Sequence, residues 1–104
     1  MMYDKEWFEE EVKPQLNGFE FVYTFLKNED DGNEFIDRIE FDGKGFGCEI
    51  LFYSNGRLDM FVFNYKDDSI LLNKILLKDG IESKKELFKE LFVILRNSNY
   101  DNGM

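Results

Sequence analysis

The sequence predicts an α+β domain: an N-terminal helix, a four- to five-stranded antiparallel meander sheet and a C-terminal helix, with both helices packed on one sheet face. Three observations lead to this. Apolar residues alternate through the middle of the chain, at 19–26, 35–41, 46–53 and 58–65, and alternation marks a half-buried strand. Short turn signals separate these runs, so successive strands are joined by hairpins and pair antiparallel. Apolar stripes at helical spacing lie on either side of them, and two helices laid on one apolar sheet face bury all three surfaces. A chain of 104 residues that is 43% apolar, with twelve Phe, fits one domain over 1–104 with one core. It contains no internal repeat and no linker.

"YDKEWFEEEVK" opens the chain as a short amphipathic helix. Asp4 caps it, the early glutamates suit its positive end, and Trp7, Phe8 and Val12 share one side. Pro14 stops it near Lys13, and Asn17-Gly18 turns the chain. "FEFVYTFL" follows as a strand with Phe19, Phe21, Tyr23 and Phe25 on one face. In "EFIDRIEF", Phe35, Ile39 and Phe41 share a face that Asp37 interrupts, and "DGKG" turns the chain again. "FGCEILFY" and "LDMFVFNY" flank Asn55-Gly56, a strong hairpin signal. A two-residue turn there pairs Tyr53 with Leu58 and Leu51 with Met60. The core face is then Phe46, Cys48, Ile50, Phe52, Phe61, Phe63 and Tyr65. "SILLNKILLK" reads as a fifth strand after the "KDD" turn. "SKKELFKELFVIL" opens with Ser83 and Glu86 at capping-box spacing and carries Leu87, Phe88, Leu91, Phe92, Ile94 and Leu95 as a stripe. Residues 97–104 form a polar, frayed tail.

Composition restricts the chemistry. Histidine is absent, which removes the commonest general base and metal ligand and rules out Ser–His and Cys–His nucleophile pairs. Cys48 is the only cysteine, so no internal disulfide forms, as suits a reducing compartment. The acidic N-terminal stretch is unlike a signal peptide, and no apolar run approaches the ~20 residues of a membrane span. A cytoplasmic protein is expected.

The net charge of −9 is unevenly placed: residues 1–68 carry 17 acids against 7 bases, and residues 69–104 carry 5 against 6. Such a chain repels nucleic-acid backbones and anionic membranes and attracts basic protein surfaces.

The densest acidic stretch is "NEDDGNE", with Glu29, Asp30, Asp31 and Glu34 around Gly32. It fails as an EF-hand, because Lys27 and Arg38 fall at the first and last ligand positions. Carboxylates on a hairpin loop stay hydrated and ionised, the opposite of what acid–base catalysis requires. Asp37 and Glu49 interrupt apolar strands and read as solvent-face residues or as partners of Arg38 or a lysine. "GKGFG" lacks the spacing of a phosphate loop. Catalytic residues, metal ligands and cofactors are therefore not expected.

Protein recognition remains. Alternate turns of a meander share one end of the sheet, which places Asp59 beside Glu29, Asp30, Asp31 and Glu34 as the first candidate partner-binding cluster. Asp42, Asp67 and Asp68 gather at the other end as a second, and Tyr53 is a candidate aromatic anchor. From "MMYDKEWFEEEV" to "GIESKKELFKELFVIL", the size, acidity, aromatic α+β pattern and richness in Phe, Tyr, Met, Ile, Asn and Lys resemble the small immunity proteins of bacterial polymorphic toxin systems. Those of contact-dependent growth inhibition are the nearest likeness. The resemblance implies a non-enzymatic antitoxin that binds a cognate toxin domain, often a basic RNase or DNase, and covers its active site or blocks substrate access. The alternative functions are an acidic nucleic-acid mimic from a phage or mobile element, and a small enzyme using only carboxylates, tyrosines and lysines.

Overall fold

Asp4 caps the first helix, its Oδ1 accepting from the Trp7 N–H at 2.9 Å. The computed structural model describes residues 3–27, 34–77 and 80–96. Helix α1 (Lys5–Trp7) runs into a π-helical turn over Phe8–Val12, in which the Lys13 N–H reaches the Phe8 carbonyl, and then a 3₁₀ turn over Lys13–Gln15. The wide turn directs both Phe8 and Val12 inward, each fully buried. Pro14 falls inside the 3₁₀ turn, so the helical segment ends two residues later than expected.

Five strands follow, β1 (Glu20–Lys27), β2 (Phe35–Gly43), β3 (Phe46–Tyr53), β4 (Leu58–Asn64) and β5 (Ser69–Leu76). They pair antiparallel in sequence order, β1-β2-β3-β4-β5, which is the expected meander with its fifth strand present. Lys44 and Gly45, both at positive φ, turn β2 into β3, the conformation that matches the natural strand twist. Helix α2 (Ile81–Arg96) closes the fold. It starts two residues before Ser83, which therefore lies in the first turn and is not the cap. The expected tail at 97–104 lies outside the described residues.

The β3–β4 hairpin corrects the sequence-based register. The Tyr53 N–H donates to the Arg57 carbonyl and the Gly56 N–H to the Tyr53 carbonyl, both at 3.0 Å. Ser54, Asn55 and Gly56 thus form a three-residue loop, with Gly56 at φ +98°, where glycine is unstrained. One extra loop residue moves the pairing by one: Phe52 faces Leu58, Ile50 faces Met60 and Cys48 faces Val62. Because side chains alternate along a strand, the slip inverts all of β4. Leu58, Met60 and Val62 enter the core, whereas Phe61, Phe63 and Tyr65 lie on the other face. The β3 half of the expected core face, Phe46, Cys48, Ile50 and Phe52, is buried as predicted.

The core sits between this sheet face and the two helical segments. It joins Phe8, Val12, Leu87, Phe88, Leu91 and Leu95 to Ile39, Phe41 and the inward residues of β3 and β4. Phe8 is its hub, with ring centroids 5.7 Å from Phe41, 6.1 Å from Phe21 and 6.3 Å from Phe52. Trp7 and Tyr3 meet Phe88 at 4.7 and 6.0 Å, tying the first helical segment to α2. The helices do not cover the far end of β1, where Phe25 is 64% exposed and stacks on Phe35.

Candidate functional site

The meander brings separate segments together at each end of the sheet. At one end the Ser54 N–H donates to the Phe35 carbonyl and the Ser54 hydroxyl accepts from the Phe35 N–H, at 2.8 and 2.9 Å. Glu34 is thereby placed beside the β3–β4 turn, and its charge reaches Tyr53 and Arg57. Glu29, Asp30 and Asp31 lie outside the described residues. Asp59 is at this end but is not a free acid, since Arg57 grips both its oxygens, at 2.8 and 2.9 Å. Arg57 also stacks 4.6 Å over the Tyr53 ring, and the Tyr53 hydroxyl faces Asp59 at 3.5 Å. Partial burial, then the Asp59 charge, push the Tyr53 phenol above its ordinary pKa. Tyr53 is thus half-enclosed by its own neighbours.

At the other end the Tyr65 N–H donates to the Gly45 carbonyl at 2.8 Å, bringing Asp42 and the Tyr65–Asp68 turn to one place. The Tyr65 hydroxyl donates to Asp42 Oδ1 at 3.2 Å. Asp67 accepts from the Ser69 N–H and hydroxyl and shapes the turn, and Asp68 holds a positive φ within it. Asp67 is thereby a turn-forming residue.

A third group of residues emerges on the sheet face opposite the helices. Register sets three rows across the strands: Glu20, Asp42, Gly47, Phe63, Ile70; Val22, Glu40, Glu49, Phe61, Asn73; Thr24, Arg38, Leu51, Asp59, Ile75. Glu20, Asp42, Glu40 and Glu49 lie on β1 to β3, and Phe61 and Phe63 lie on β4 beside Asp59. Glu40 and Glu49 stand directly opposite each other, an arrangement of like charges that destabilises a sheet. Arg38 offsets it by binding Glu49 Oε2 at 2.7 Å and Glu40 Oε2 at 3.0 Å. The suggestion that Glu49 faces solvent and pairs with Arg38 is thus correct. Asp37 lies on the helix-side face, 3.9 Å from Lys5, in a cavity of about 310 Å³ that Tyr3, Phe35, Phe52 and Ile81 also line.

Gly47 leaves a depression of about 360 Å³ on the open face, close to the Lys44-Gly45 turn. Carboxylates of Glu40, Asp42 and Glu49 bound it on one side, and the rings of Phe61, Phe63 and Tyr65 on the other. Tyr65 leans over the glycine: a Cβ on Gly47 would come within 2.3 Å of the Tyr65 hydroxyl oxygen. Cys48, the neighbour of Gly47, points into the core, and burial followed by the Asp42 charge pushes its thiol up to about 12. That removes it as a nucleophile near neutral pH. No group of three or more potential metal-ligating side chains occurs among the described residues, and none of their helices is long and apolar enough to cross a membrane.

The sequence reading missed the open face because the slipped register assigned Phe61, Phe63 and Tyr65 to the core. The signal that was available is the run Leu58, Met60, Val62, whose alternation is as apolar as that of its neighbours. No protein-family model matches the chain, and no curated protein or solved structure matches it.

Proposed function

We propose that this protein is a cytoplasmic immunity protein that binds and neutralises a cognate toxin domain, a basic RNase or DNase, by covering its active site or blocking substrate access. The observation that carries this reading is the open sheet face: the carboxylates Glu20, Glu40, Asp42, Glu49 and Asp59 against Arg38 and Arg57, with the rings of Phe61, Phe63 and Tyr65 beside them, in a chain of net charge −9. Complementary charge accelerates and orients encounter, and aromatic groups in a desolvated centre supply the strength of binding. The same charge repels nucleic acid and anionic membranes, which leaves a basic protein as the fitting partner. The protein acts by occupancy, without a catalytic step or cofactor of its own.

The test is direct. The purified protein is mixed with the C-terminal domain encoded by the adjacent upstream gene, and both complex formation and nuclease activity are measured. A stoichiometric complex with loss of nuclease activity is the expected result. Absence of a complex at micromolar concentrations, with nuclease activity unchanged, would overturn the proposal.

A further inference from the structure

We infer that the depression over Gly47 is the anchor point of the interface and receives an arginine side chain from a basic protein partner. This rests on the proposed function for the identity of the partner, and it moves the centre of docking from the turns themselves onto the open sheet face beside the Lys44-Gly45 turn.

The argument starts from rules of sheet construction that this face breaks. A glycine inside a central strand weakens it, like charges directly opposite destabilise it, and aromatic rings on an uncovered face enlarge the apolar surface in water. Gly47, the Glu40–Glu49 pair, and Phe61 with Phe63 adjoin one another at a single place. Local sacrifices that converge on one site mark function rather than folding. Gly47 has a structural use, admitting the Tyr65 ring, but that use completes the wall of the same depression.

The chemistry of the depression selects its occupant. Arg38 engages one oxygen each of Glu40 and Glu49, and Tyr65 engages Oδ1 of Asp42. The second oxygen of each carboxylate has no hydrogen-bond partner among the described residues. Three acceptors on one side and aromatic rings on the other match a guanidinium, which donates in its plane and stacks on its face. A compact ammonium uses the acceptors but stacks less well. Exposed Val22, Ile70 and Ile75 surround this acidic centre, so a partner that inserts the cation also covers apolar surface. A second copy of this chain is disfavoured, because it brings the same excess of carboxylates. Nucleic acid is disfavoured for the same reason.

The probe is N-acetyl-arginine amide, titrated into the ¹⁵N-labelled full chain and followed by amide chemical shifts. N-acetyl-citrulline amide, which is nearly isosteric and uncharged, is the control. A ligand of this size binds with roughly millimolar affinity. Saturable shifts centred on Glu40, Asp42, Gly47, Glu49 and Phe61 are expected with the arginine compound alone. The Glu40→Gln/Glu49→Gln variant should lose about tenfold or more of this affinity. Asp42→Asn, which leaves both Arg38 contacts in place, should weaken binding too and guards against a misfolded double variant. Equal shifts with citrulline, or shifts spread over Glu9, Glu10, Glu11, Asp67 and Asp68, would overturn the inference. The toxin domain separates this site from the proposed function. If the toxin domain does not bind but arginine amide maps to Gly47, the immunity reading falls and the site stands. If the toxin domain binds both variants as tightly as wild type, the site falls and the immunity reading stands.

Discussion

Met60→Ala and Phe61→Ala, at adjacent positions on β4, should differ sharply in their cost. Met60 is 1% exposed and faces Ile50 across the strand pair. Its truncation removes three buried heavy atoms, a transfer loss of roughly 2 kcal/mol at about 0.8 kcal/mol per methylene. The hole left in a closed core adds to this, for a total of about 2–5 kcal/mol. Phe61 is larger but half-buried on the open face, where water fills the space that the ring leaves. Its truncation should cost about 1 kcal/mol, mainly the cross-strand packing beside Glu49 and Asn73. Urea denaturation followed by circular dichroism measures both, with the slope against denaturant confirming that the unfolding transition is otherwise unchanged. The two-residue turn expected from Asn55-Gly56 predicts the reverse order. If Phe61→Ala proves the more damaging substitution by more than ~1 kcal/mol, the three-residue loop and everything placed on the open face are refuted.

Gly47→Ala should destabilise the fold by about 1–3 kcal/mol, since its Cβ collides with Tyr65. The same change made in a Tyr65→Ala background should cost little, which a double-mutant cycle reads as a coupling energy. Cys48 should resist alkylation in the native state at pH 8 and react once the protein is unfolded. Its pKa rises from 9.0 to about 12 on folding, so this thiol's contribution to stability is complete below pH 9 and is lost as pH rises toward 12. Cys48→Ala should flatten that part of the stability–pH curve relative to wild type. Replacing Glu29, Asp30, Asp31 and Glu34 by their amides should slow association with the toxin domain and flatten its salt dependence. Stopped-flow rates at low salt that match wild type would assign steering to the sheet face alone.

Element order, antiparallel pairing and the packing of both helices on one sheet face were legible in the sequence because periodicity and turn signals extend over whole segments. Which residues of β4 lie on that face was not. The fifth strand, Ser69–Leu76, was legible from its length and the "KDD" turn before it, although "SILLNKILLK" alone does not separate strand from helix. What failed was single-residue geometry. Asn-Gly favours a two-residue turn, but here Gly56 takes the left-handed third position of a longer loop, a choice made by backbone hydrogen bonds and not by composition. That one residue decided where Phe61, Phe63 and Tyr65 lie, and so hid the open face. In the candidate site, the grouping of turns by sheet end was legible from topology. The pairing of Asp59 with Arg57 was not, because Arg57 lies in the same segment and could equally have faced solvent.

Strand order that repeats sequence order also sets how the chain folds. Every sheet contact joins neighbours along the chain, so each hairpin closes a short loop and forms without waiting for distant segments. The packing of Tyr3 and Trp7 on Phe88 is different, since it joins the first helical segment to the last helix across the whole sheet. During synthesis the meander is able to assemble strand by strand, and Phe8 can pack on Phe21, Phe41 and Phe52 as those strands appear. The part of the sheet face that α2 covers stays open until α2 has been made. The ring contacts of Phe88 with Tyr3, Trp7 and Phe52 are thus completed last, and the nascent chain carries the apolar surface beneath them uncovered until then.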